Sequence, residues 1–305
     1  LTAVDDTPLA QSSHFDAHTG QIATKYLGQN ILIDSDRAQE LSSYMTAGVK
    51  IHVGKLDRKQ GTRKPAPPFI TSTLQQEANR RLGWGTGVTM RVAQRLYESG
   101  YITYMRTDAP ALAQEAVSGI RSAIQSQFGS DYLPSKPIVY RAKSKGAQEA
   151  HEAIRPAGTS MKTAQQLKLS GHDEKLYTLI WRRTMACQMT PARFSYTTAK
   201  IDLTDVPPNS GPKLTFRASG REVVHAGFML VYALQEGEDV LLPPLREGQE
   251  LILTSVTPQQ HFTKSPARFS EASLVKMLEQ EGVGRPSTYA SIIDTIQKRG
   301  YVRAS

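Results

Sequence analysis

Two stretches of this 305-residue chain align without a gap when the sequence is offset by 200 residues. "FITSTLQQEANRRLGWGTGVTMRVAQRLYESGYIT" begins at Phe69, and "FSEASLVKMLEQEGVGRPSTYASIIDTIQKRGYVR" begins at Phe269. Leu74 matches Leu274, Val92 and Leu96 meet Ile292 and Ile296, and Gly100-Tyr101-Ile102 meets Gly300-Tyr301-Val302. Apolar residues recur at helical spacing in two runs, with glycine in the turn and after the second run. Each copy is therefore expected to form helix, turn, second helix and strand. Unrelated helical hairpins share such spacing, so the pattern constrains architecture more firmly than ancestry.

Helix, turn, helix and strand make the core of a winged-helix or helix-turn-helix module, a common nucleic-acid scaffold. Elsewhere the pattern is mixed. Residues 1–60 combine short apolar runs with turn residues, and "DSDRAQELSSYMTAG" reads as a helix capped by Asp34 or Ser35 and ended by Gly48. "KQGTRKPAPPF" reads as a linker, and "MKTAQQLKLSGHDEKLYTLIWRRTMACQM" as two helices broken near Gly171. Between Thr190 and Thr257, "SYTTAKIDL", "KLTFRAS", "EVVHAGFMLVY" and "ELILTSV" read as strands, and helix is expected again beyond.

Charge narrows the partner. The net charge is +9, and from Arg58 to Arg106 nine basic residues face only Glu77 and Glu98. A solvated helix face is the plain explanation and a polyanion the pointed one. No apolar run approaches the roughly 18 residues of a membrane span, and the first residues lack the features of a signal peptide. The single cysteine, Cys187, excludes an internal disulfide and a cysteine-rich zinc site, so a reducing, cytoplasmic setting is expected.

The basic segment leads into "ESGYITYMRTDAP". "YITYM" reads as a strand, on which Tyr104, Arg106 and Asp108 share one face and Met105 and Thr107 the other. A free phenol, with a pKa near ~10, is a poor nucleophile at neutral pH. A nearby guanidinium favours the phenolate and neutralises a phosphate oxygen. Tyr-x-Arg therefore suits attack on a phosphodiester, although on spacing alone most tyrosines on strands are packing residues.

Two further motifs carry possible phosphate contacts. In "HEAIRP", a zinc protease would need a second histidine four residues after His151, where Arg155 stands instead. A solvated helix start is the plain reading. In "GRPSTYAS", Pro286 suits a first turn and Ser287 or Thr288 can cap. Free N–H groups there can hold a phosphate, with Arg285 adding charge, and a simple capping sequence is the alternative.

Taken together, "YESGYITYMRTD", "QEAHEAIRP", "ACQMTPA", "HFTKSPARFSEASLVKMLE" and "GVGRPSTYASIIDTIQKRGYV" closely resemble the bacterial type IA DNA topoisomerases, from about Pro65 to the end. The resemblance implies that Tyr104 attacks DNA and holds the 5′ phosphate covalently, supported by Arg106. It implies that His151 lies near the tyrosine and contacts phosphate, and that Arg155 is structural or a secondary phosphate contact. DNA contacts are expected at Arg285, Ser287 and Asp108. The family usually reads T-D-S where Ala109 stands here, so a hydroxyl is lost beside the site.

The same resemblance implies an α+β fold. A β-rich arch, the hinge, comes from 1–64 and 190–260. A helical, winged-helix-like domain at 65–189 bears the tyrosine, and a further helical domain starts at 261–305. Such enzymes relax negative supercoils without ATP, as monomers acting on single-stranded segments of nucleoid DNA. Their magnesium is held by an acidic cluster in a preceding domain. "DSDRAQE" lacks the glycine that follows the arginine in that signature, so no metal ligands are expected in this chain. It therefore reads as a middle portion of a larger enzyme, inactive alone. A non-catalytic DNA- or partner-binding module on the same scaffold is the alternative, and the intact Tyr104 and Arg106 argue against it.

Overall fold

A computed structural model describes residues 1–45, 51–141, 152–203, 211–233 and 240–303. The chain divides into two compact units, one from Leu1–Gly61, Phe194–Val224 and Gly237–Arg268, the other from Thr62–Arg193, His225–Glu236 and Phe269–Ser305.

The first unit is built on a six-stranded antiparallel sheet of β1 (Ala3–Val4), β2 (Thr7–Pro8), β3 (Ile51–Arg63), β4 (Ala192–Leu203), β5 (Leu214–His225) and β6 (Glu250–Leu251). The order is β2-β1-β5-β4-β3-β6. Val4, Ile51, Leu203 and Leu214 form its core with Leu41 from helix α1 (Ser35–Ser43). Asp34 starts α1 by accepting from the Arg37 backbone N–H at 2.8 Å, the expected N-cap. Gly48, expected to end it, lies outside the described residues.

Three strand expectations change here. The segment through "KQGTR" is not a linker but the second half of β3. Its polar residues hide the strand because neither face is uniformly apolar. "KLTFRAS" and "EVVHAGFMLVY" do not form two strands, since β5 runs unbroken through Gly220 and stops at His225. Gly227–Leu230 is a short 3₁₀ turn. Gly227 has φ +50°, and a Cβ there would come within 2.5 Å of the Pro191 carbonyl, so the chain turns away from the sheet. "ELILTSV" contributes only Glu250–Leu251.

The second unit is helical: α2 (Thr71–Leu82), α3 (Thr86–Glu98), α4 (Gln114–Phe128), α5 (Gly171–Ala186), α6 (Glu271–Gln280) and α7 (Tyr289–Lys298). The helical part of the repeat is present. Helices α2 and α6 begin at matched positions, although α7 begins three residues later than α3 on the common offset. The second helices end alike, with Tyr101 N–H donating to Leu96 O at 2.8 Å and Tyr301 N–H to Ile296 O at 3.0 Å. Gly100 and Gly300 adopt φ +74° and +71°, the left-handed conformation that closes a helix.

The strands expected next do not form. Residues 101–105 make a single bridge, Ile102 to Pro156, and 301–303 make none. The backbone groups of Tyr101 and Thr103 bond instead to an irregular segment around Arg155. Upstream of α5, "MKTAQQLKLS" is a set of turns rather than a helix, with Met161 and Lys168 at φ +45° and +56°. Left-handed residues cannot continue a right-handed helix.

The two repeat copies pack on one another, α2 against α6 and α3 against α7. The Ser72 hydroxyl donates to Glu279 at 2.7 Å. Glu271 accepts from the Thr86 backbone N–H at 2.7 Å. It thus supplies the cap that Gly85, at the N-cap of α3, cannot.

Candidate active site

The tyrosine segment leaves α3 through Gly100 and runs along two supports. Met105, Thr107 and Ala109 are buried, and Tyr104 and Arg106 are exposed. The alternation expected of a strand thus survives without the strand. Its cause is Thr71, the first residue of α2. The Thr71 N–H donates to Thr107 O at 2.9 Å. Its hydroxyl donates to Met105 O at 2.8 Å and accepts from the Thr107 N–H at 2.9 Å. These bonds fix the inward face, which leaves residues 104 and 106 pointing outward.

The second support is the "AIRP" strip. Thr103 N–H donates to Arg155 O at 2.9 Å, and Ala157 N–H to Tyr101 O at 2.9 Å. The Thr103 hydroxyl donates to Ala153 O at 2.7 Å and accepts from Arg155 N–H at 3.0 Å. The backbone is therefore held before Tyr104 by this strip and after it by Thr71.

Tyr104 itself is 41% exposed. Its ring lies 5.2 Å from that of Tyr97, in the last turn of α3, with the planes at 66°. Arg106 is exposed beside it. Tyr97 and Thr71 were not legible as site residues, since seven residues separate the two tyrosines and Thr71 precedes its partners by more than thirty.

Of the two roles open to Arg155, structural or a secondary phosphate contact, its contacts favour the structural one. It is 9% exposed. Its guanidinium holds Glu152 at 2.6 and 2.8 Å and the carbonyls of Pro156 and Gly158 at 2.8 and 3.0 Å. A phosphate would have to displace partners already in place, so the structure uses Arg155 internally. His151 lies outside the described residues.

Arg285 and Ser287 are exposed ahead of α7. Thr288 rather than Ser287 closes this turn, its hydroxyl accepting from the Arg285 N–H at 2.8 Å. One guanidinium nitrogen of Arg285 donates to Gly284 O at 2.7 Å. Burial pushes the Tyr289 phenol up, as do the charges of Glu279 and Asp108, and Arg285 opposes them.

Asp34 is used as a helix cap and Glu40 pairs with Arg37 at 2.6 Å. No group of three histidine, cysteine or acidic side chains gathers among the described residues.

A six-stranded antiparallel sheet unit and a helical unit make the chain a mixed α/β protein. The sequence family described as DNA topoisomerase matches residues 11–305, and the chain belongs to the bacterial type IA DNA topoisomerase family. It is 46% identical to DNA topoisomerase 1 of Synechocystis sp. over 99% of this chain and 33% of that protein. It is 52% identical to DNA topoisomerase 1 of Escherichia coli over 80% of this chain and 28% of that protein. Full-length topoisomerase I from Thermotoga maritima superposes with a TM-score of 0.75 at 31% identity, over 92% of this chain and 45% of that one. The chain thus spans about a third of the length of the curated relatives it matches. Among the described residues, no helix is long and apolar enough to cross a membrane.

Proposed function

We propose that this chain is the tyrosine-bearing part of an ATP-independent topoisomerase that cuts one DNA strand, passes another through the gap and reseals it, relaxing negative supercoils. The observation that carries the reading is the exposure of Tyr104 and Arg106 on a backbone whose opposite face is pinned by Thr71. In the cleavage step the Tyr104 phenolic oxygen bonds to phosphorus and the bond from phosphorus to the 3′ oxygen breaks. The phenol loses its proton to solvent or a base, and the departing 3′ oxygen gains one. Arg106 is assigned to offset charge on the phosphate, and His151 is assigned the same task. Arg285, Ser287 and Asp108 are assigned to DNA held near the start of α7. Resealing reverses the step, and the phosphotyrosine bond conserves the energy, so ATP has no role.

The hinge-and-arch division, the monomeric state, the nucleoid location and the preference for single-stranded segments belong to the same proposal. The acidic magnesium ligands are assigned outside these 305 residues, so the chain alone is expected to bind DNA and not to cut it.

The test uses the full-length protein with magnesium and supercoiled DNA. Tyr104→Phe should abolish the covalent adduct and leave DNA binding largely intact, because only the nucleophilic oxygen is removed. An adduct that persists and maps to another residue would refute the assignment.

A further inference from the structure

We propose that the open face of the sheet is a second contact for single-stranded DNA, centred on Tyr196. This rests on the reading of DNA as partner, but it places the contact in the sheet unit, whereas Tyr104 belongs to the helical unit.

One face of the sheet is closed by the apolar core, to which Ile201 and Leu203 of β4 and Leu214 and Phe216 of β5 contribute. The other face carries the alternate residues. There Tyr196 lies over Gly61 of β3, where an added Cβ would come within 2.7 Å of the ring. The Phe194 ring is 6.0 Å away, and the Arg221 guanidinium sits 5.4 Å from the centroid of Phe194.

An aromatic ring set over a glycine is a common way to cover a bare patch of sheet. That accounts for the contact with Gly61, but a buried ring would serve as well. Tyr196 instead keeps 41% of its surface exposed.

Its surroundings are cationic. On the same face by strand alternation lie Lys200 of β4 and Arg217 and Arg221 of β5. Asp202 pairs with Lys200 at 3.4 Å. On β4 and β5 this face carries Lys200, Arg217 and Arg221 against the single acid Asp202. An accessible π-face among cations is the arrangement that holds single strands without reading their sequence, the ring stacking a base and the cations holding phosphates. A duplex hides its base faces, so single-stranded DNA is the matching form.

The test measures binding of a fluorescein-labelled oligo(dT) of about 12 nucleotides to the 305-residue chain across a salt series. Tyr196→Ala should weaken binding about five- to fiftyfold. Tyr196→Phe should remain within about twofold, because the stacking face is kept. Arg217→Ala should lower the slope of log affinity against log salt by about 0.7, the value for one phosphate on a single strand. Tyr196→Ala could unfold the sheet by baring Gly61, so the wild-type chain is also photocrosslinked to an oligonucleotide carrying 5-iododeoxyuridine. The adduct should appear in the tryptic peptide of residues 194–200. Crosslinks confined to the helical unit, or a folded Tyr196→Ala variant within twofold of wild type, would overturn this proposal alone. A wild-type chain that binds no oligonucleotide at all would overturn the DNA reading with it.

Discussion

The rings of Tyr97 and Tyr104 lie 5.2 Å apart with their planes at 66°, an edge-to-face pair that joins the last turn of α3 to the segment after it. Such pairs contribute about 0.5–1.5 kcal/mol beyond the area they bury. Tyr97 is therefore a positioning residue for the proposed nucleophile. In the full-length protein Tyr97→Phe should form the covalent adduct at the wild-type rate, and Tyr97→Ala should slow it by about two- to tenfold. Rapid-quench measurement of adduct formation checks this. An alanine variant as fast as wild type would leave the pair without a role in cleavage.

Thr71 bonds to residues 105 and 107 with both its backbone and its hydroxyl. Thr71→Val keeps the shape but leaves buried polar groups short of partners. A loss of about 1–3 kcal/mol in urea-unfolding stability is expected. Tyr104 should also become more accessible to iodination, because the backbone beneath it loosens.

Glu77 gives stability a pH dependence. Burial pushes its carboxyl up, but hydrogen bonds from Arg81 and Tyr232, with the charges of Arg81 and Arg183, outweigh burial and hold it below the ordinary range. The Tyr232 hydroxyl donates to it at 2.9 Å, and burial pushes that phenol up to about 12. A carboxyl depressed in the folded state adds stability above its unfolded pKa, and that stability is lost as pH falls through the folded value. The melting temperature should therefore fall on acidification below about pH 4.5, the ordinary range of a glutamate. Glu77→Gln should melt lower at neutral pH and show a shallower acid dependence. Parallel melting curves for the two proteins would contradict the Glu77 contribution.

Glu271 caps α3 from the other copy of the repeat. Glu271→Ala leaves the Thr86 N–H without that acceptor and should cost about 0.5–2 kcal/mol. Hydrogen exchange locates the effect: protection should drop in the first turn of α3 more than in α6.

What the sequence determined by itself is local. The glycine that ends each second helix, the spacing of Val92 and Leu96 and the Asp34 cap depend on residues a few positions apart, so their physics is printed in the chain. The alternation of Tyr104, Met105, Arg106 and Thr107 was equally legible, as were the motifs that resemble type IA topoisomerases. Helix α4 was less so, because its apolar stripe of Ala116, Ile120 and Ile124 is diluted by serine and glutamine.

Tertiary structure decided the rest. Whether "YITYM" became a strand depended on its neighbour, and that neighbour is an irregular strip around Arg155, more than fifty residues away in sequence from Tyr101. The length of β3 depended on partners in β4 and β6, since a strand rich in polar side chains takes its order from backbone pairing rather than its own pattern. The sequence leaves Arg155 open between a structural role and a secondary phosphate contact, because an arginine in isolation is a charge seeking an anion. Only the folded chain shows that Glu152 and two carbonyls already satisfy it.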